Sequence, residues 1–137
     1  MLEVLLSLAI IALIAGISVP IYQALQIRNN LNIAAISTTQ TWRRAQILAA
    51  AADGDSPWGV YATTGGLTLF KGANYVARDN TFDEIIEIPT SIVPTGMSEI
   101  IFNKFTGQPQ SVGSLILTSD NNETKTITIN VKGAINY

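Results

Sequence analysis

Met1-Leu2-Glu3-Val4-Leu5-Leu6-Ser7-Leu8-Ala9-Ile10-Ile11-Ala12-Leu13-Ile14-Ala15-Gly16-Ile17-Ser18-Val19-Pro20-Ile21-Tyr22-Gln23-Ala24-Leu25-Gln26-Ile27 decides how the rest of the chain is read. It holds one charge, Glu3, and the next is Arg28. Between residues 4 and 22 an apolar run is broken only by Ser7, Gly16, Ser18 and Pro20. A helix needs about 20 mostly apolar residues to cross a bilayer, so this run is long enough to span one. A secretory signal peptide would open on a basic segment and close on a small-residue cleavage site. Here the opening is acidic, and Pro20-Ile21-Tyr22-Gln23 is a poor cleavage site.

Glu3 admits two readings. A carboxylate at the bilayer centre costs about 2.5–3.5 kcal/mol on insertion scales, and less near the interface. Either Glu3 lies at the membrane surface and snorkels, or it awaits a cationic partner. Pro20 removes one helical hydrogen bond and crowds the preceding turn. Gly16, four residues earlier, weakens the same turn. A kink or loosening between Ala12 and Pro20 is expected.

Working outward, residues 25–53 continue the helix. Leu31, Ala34, Ala35, Thr38, Trp42, Ala45, Leu48, Ala49 and Ala52 recur at steps of three or four and mark one buried face. Trp42 is the expected core anchor. Arg28, Asn32, Thr39, Arg43 and Gln46 are expected on a polar face. Asp53-Gly54-Asp55-Ser56-Pro57 should end the helix, with glycine as cap and proline as stop. Such a helix of about 53 residues would be near 80 Å long at about 1.5 Å per residue. No small domain buries that rod, so much of it must lie in lipid or against neighbours.

From Trp58 the pattern turns to strands. They are expected at 58–63, 67–71, 84–88, 98–102, 114–118 and 126–131, with Asn74–Arg78 a short strand or turn. Thr64-Gly65-Gly66, Pro94–Gly96, Gly107-Gln108-Pro109 and Asp120–Glu123 read as turns or loops. Ile127, Ile129 and Val131 should share one face of a half-buried antiparallel strand. The expected fold class is α+β: a long N-terminal helix, apolar then amphipathic, packed on a small, mostly antiparallel β-rich head. The divisions are 1–24 (membrane or filament-core helix), 25–53 (amphipathic helix) and 54–137 (head).

Composition bounds the function. The 137 residues are 47% hydrophobic and 13% charged, with a net charge of −2. A chain without clustered Lys and Arg is not expected to take nucleic acid as its main partner. Without cysteine or histidine there is no disulfide framework, thiol chemistry or His-based catalysis. No Ser sits in a nucleophile elbow, so no catalytic residue is assigned and an enzyme is not expected. Asp53, Asp55, Asp79, Asp83, Glu84, Asp120 and Glu123 read as solvated turn residues rather than a calcium loop, whose spacing they lack. No metal or cofactor is expected. Asn122-Glu123-Thr124, with Asp120 two residues before Asn122, fits an exposed glycosylation acceptor, although such triplets arise by chance.

Residues Met1 to Leu6 and Pro20 to Gln23 closely resemble the N-terminus of type IV pilins and type II secretion pseudopilins. In those proteins a Glu opens an apolar helix, and a Pro with a nearby Tyr follows about 17 residues later; Glu3, Pro20 and Tyr22 keep that spacing. One departure is that the family's Glu usually follows four residues and here follows two. The head, through Trp58-Gly59-Val60, Phe105-Thr106-Gly107 and its last strand, more loosely resembles the FimT and pseudopilin H branch. Some FimT-branch members bind DNA through a basic tail, but residues 132–137 carry one Lys and no Arg, so that role is not carried over. The resemblance implies a pilin fold and a structural subunit of a type IV pilus-like filament. It also implies Glu3, Gly16, Pro20 and Tyr22 as assembly residues, with Glu3 pairing a terminal amine, its own or a neighbour's. Partners would be copies of the chain, the assembly machinery and membrane lipid. The subunit would wait in the inner membrane and end in an extracellular filament. The alternatives are a minor pilin or pseudopilin that primes or tips a filament, and a monomeric membrane-anchored binding module.

Overall fold

A computed structural model of the chain describes residues 1–16 and 21–137. The expected kink at Pro20, and Pro20 itself as an assembly residue, lie outside the described residues. The first element is α1 (Leu2–Ala50), about 74 Å long at about 1.5 Å per residue. Eight strands follow: β1 (Trp58–Thr63), β2 (Gly66–Lys71), β3 (Asp79–Glu87), β4 (Ile92–Gly96), β5 (Glu99–Phe102), β6 (Gly113–Ser119), β7 (Thr124–Ile129) and β8 (Ile135–Asn136). They form two antiparallel four-stranded sheets, ordered β3-β2-β1-β5 and β4-β6-β7-β8. The C-terminal half of α1 packs against both. The fold class is α+β, as the change from helical to strand periodicity indicates.

The core forms where helical and strand periods meet. Leu31, Ala34, Ala35, Trp42, Ala45 and Ala49 present one face of α1 to Val60, Leu67, Leu69, Ile100, Leu115, Leu117 and Ile127. The many alanines on that face bring backbone and sheets close, while Trp42, 1% exposed, fills the space between. Thr39 corrects the expected polar face, for it is buried. Its hydroxyl donates to the Ala35 carbonyl at 2.9 Å, as Thr38 does to Ala34 at 2.7 Å. A satisfied hydroxyl loses little on burial, so threonine can serve as a core residue inside a helix.

α1 ends three residues before the expected stop. Ala52, not Gly54, is the first residue in the left-handed region (φ 52°), and a short 3₁₀ turn spans Asp53–Asp55. The reason is tertiary. The loop after β5 caps the helix: the Phe105 amide donates to the Ala49 carbonyl at 2.9 Å. Gly107 (φ 63°) lies against the same turn, where a Cβ would sit 3.0 Å from the Gln46 carbonyl oxygen. A second close approach is at Gly59, where a Cβ would meet the Phe70 ring at 2.4 Å. Phe70 is thereby buried on the outer face of its sheet, beneath Tyr75 of the β2–β3 loop.

Other boundaries moved. β3 begins at Asp79, so Asp79, Asp83 and Glu84 lie on a strand rather than in turns. Ile92–Gly96 is a strand despite Pro94, because β4 is a sheet edge and proline need not donate there. β7 ends at Ile129, which leaves Val131 exposed instead of aligned with Ile127 and Ile129. The cysteine-free C-terminus is held by the short β8 pairing with β7 and by Gln46, whose Nε2 donates to the Gly133 carbonyl at 3.2 Å.

Candidate assembly surface

Among the described residues the core begins at Leu31. Residues 1–16 are exposed throughout, including Leu2, Val4, Leu5, Leu6, Leu8, Ile10, Ile11, Leu13 and Ile14. Continuous apolar surface on this scale is far larger than a water-soluble monomer ordinarily shows. The helix is apolar and long enough to cross a bilayer. Tyr22, Ile21 and Leu25 are exposed as well. At Gly16 an added Cβ would find no atom within 4 Å among the described residues beyond its chain neighbours and the adjacent helix backbone.

Glu3 lies on the open helix surface beside Val4, Ser7, Leu8 and Ile11. The Ser7 hydroxyl donates to the Glu3 backbone carbonyl at 2.8 Å and leaves the carboxylate free. Among the described residues that carboxylate has no cationic partner, the Met1 amine included. Arg28 is about 38 Å along the helix at about 1.5 Å per residue, too far to reach it.

The outward face of α1 carries a feature that the sequence reading passed over. Ile33, Ile36 and Ile47 are 53%, 42% and 66% exposed. They recur at helical spacing on the side away from Trp42. The signal in the sequence is three isoleucines set among the polar residues Asn29, Gln40 and Arg43 of that side. Arg43 lies among them, exposed and without an ion pair among the described residues. The flanks of the helix are tied to the head by Arg28 to Glu123 at 3.0 Å and Arg44 to Glu84 at 2.6 Å. Such exposed pairs add at most about 1 kcal/mol each.

Trp42, the expected core anchor, is in the core and not on the surface. Asn122 is exposed in the β6–β7 turn. At the far end of the helix, Lys104 donates to Asp55 at 2.7 Å, and this bond with its charge holds the Asp55 carboxyl below the usual range. Hydrogen bonds from Thr81 lower Asp79 likewise. Among the described residues no three carboxylates converge on a point that could hold a metal ion. Comparison with protein-family models, curated proteins and solved structures finds no match.

Proposed function

We propose that this chain is the structural subunit of a type IV pilus-like extracellular filament, assembled through α1. The supporting observation is that exposed isoleucines recur on the outward side of α1 beyond Arg28, among the polar residues Asn29, Gln40 and Arg43. Residues 2–27 extend about 38 Å at about 1.5 Å per residue, enough for a hydrocarbon core of about 30 Å. Ile47 lies roughly 28 Å beyond Arg28 on the same scale. Lipid that holds the first half of α1 cannot also cover Ile33, Ile36 and Ile47. Neighbouring helices in a bundle can cover both halves at once, and a monomeric membrane-anchored module would leave the isoleucines in water.

The mechanism is a transfer between two apolar surroundings. In the membrane, lipid covers residues 2–27 and Glu3 stays near the interface. In the filament, other copies of α1 replace the lipid, and the heads face outward. Burial among apolar helices makes an unpaired Glu3 costly, and its partner is a cation brought by another copy. This gives Glu3 a selective role in docking each subunit, while the apolar residues supply the bulk attraction.

Replacing Ile33 and Ile47 together by Ser tests the reading. The protein should remain in the membrane with a folded head, yet be lost from sheared filaments. Normal filament yield from that variant would count against the stripe as a subunit contact.

A further inference from the structure

The β6–β7 turn carries a chemistry that filament assembly does not use. Ser119, Asn121 and Glu123 hold the turn together. The Ser119 hydroxyl shares its one hydrogen between the Asn121 side-chain oxygen and the Glu123 carbonyl, the latter at 3.0 Å. The Glu123 amide donates to the Asn121 side chain at 3.3 Å, and the Glu123 carboxylate pairs with Arg28. The residues between them are left over. Asp120, Asn122 and Thr124 are exposed, and among the described residues their side chains make no hydrogen bond or ion pair. These three are the acidic residue, the asparagine and the hydroxyl residue of the Asp-x-Asn-x-Thr pattern.

Asn122 also stands apart in its backbone. The other hairpin connections reach positive φ with glycine, namely Gly65, Gly72 and Gly133. Only the β6–β7 connection uses asparagine, at φ 61°. Asparagine tolerates that conformation, but glycine does so without cost. The turn therefore keeps a side chain where the backbone alone would favour none. The Arg28–Glu123 ion pair shows that the turn lies beside the point where α1 leaves its apolar run. A membrane-bound enzyme acting on the inserted subunit would meet this turn close to the lipid surface.

We infer that Asn122 is an N-glycosylation acceptor, modified by a membrane transferase that uses a polyprenyl-pyrophosphate-linked oligosaccharide. The Asn122 Nδ2 forms a bond to the anomeric carbon of the first sugar. The bond from that carbon to the pyrophosphate oxygen breaks, and polyprenyl pyrophosphate leaves with the electron pair. One amide proton passes to a base of the transferase; nothing is oxidised or reduced. The Thr124 hydroxyl, free and two residues on, is the group by which the transferase recognises the acceptor. Asp120 adds an exposed charge to the same turn.

The test is mass spectrometry of the full chain purified from its own cells. Cleavage after Lys104 and Lys125 releases residues 105–125 with the whole turn. That peptide should carry a sugar mass increment, localised to Asn122 by fragmentation. Asn122→Gly, which suits the turn, and Thr124→Val should each lose the entire increment, while Thr124→Ser should keep it. Circular dichroism melting of the variants confirms that the head is folded in each. A wild-type peptide at its bare mass would overturn the inference, and so would an increment that survives Thr124→Val. Neither result bears on filament assembly.

Discussion

Replacing Trp42 by alanine removes the largest fully buried side chain of the head. Deleting a buried Trp or Phe to Ala costs about 3–5 kcal/mol, through lost transfer energy and the cavity left behind. The alanine-rich face around it cannot collapse to fill the space, because Ala34, Ala35, Ala45 and Ala49 have no side-chain length to extend. A domain of this size has only about 5–15 kcal/mol in total, and small heads with thin cores lie toward the lower end. Trp42→Ala should therefore remove a third or more of the stability. With a urea dependence of about 1–3 kcal/mol per molar, the midpoint should fall by at least about 1 M. The measurement is urea unfolding of residues 25–137 by far-ultraviolet circular dichroism. Fluorescence is unsuitable because the substitution removes one of only two tryptophans. Ile47→Ala is the control, on the opposite and exposed face, and should change stability by no more than about 0.5 kcal/mol. Equal midpoints for Trp42→Ala and Ile47→Ala would refute the assignment of buried and outward faces.

Residues 25–137 should fold as a soluble monomer, since the first core residue among the described ones is Leu31; aggregation or unfolded material on gel filtration and circular dichroism would contradict this. Asp55 is held below its ordinary pKa by Lys104, so this contact stabilises the folded head above the unfolded value of 3.8 and is lost as pH falls through the lower folded value. Lys104→Met should raise the Asp55 pKa toward 3.8 in a carbon NMR titration, and an unchanged titration would remove the contact as the cause. Glu3→Gln keeps shape and removes charge; it should leave membrane insertion intact and sharply reduce filament yield, whereas full yield would make Glu3 a snorkelling surface residue.

Periodicity carried most of the architecture. A helical repeat from Leu31 to Ala49 named the face that is buried, and strand alternation located β1, β2, β6 and much of β7. The errors arose where distant contacts override local preference. Gly54 is the better cap by propensity, yet the loop carrying Phe105 and Gly107 closes the helix earlier. Pro94 reads as a turn until its strand is known to be an edge. Thr39 looks polar because its hydroxyl's partner, the carbonyl four residues back, is supplied only by the helix itself. At the candidate assembly surface Glu3 stands out as the one charge in an apolar run, while Tyr22 is marked only by the resemblance to pilins. The outward isoleucines are hard to read from the sequence because Asn29, Gln40 and Arg43 share their side of the helix.

The proposed function requires α1 to pack against other copies of α1. Imaging of purified surface filaments by electron cryo-microscopy, with the main protein identified by mass spectrometry, tests it most directly. Filaments built from this chain are expected, with residues 2–27 at the centre, a neighbouring subunit over Ile33, Ile36 and Ile47, and Glu3 beside a cation from another copy. A chain that stays monomeric in the membrane, or filaments in which those isoleucines face solvent, would contradict it.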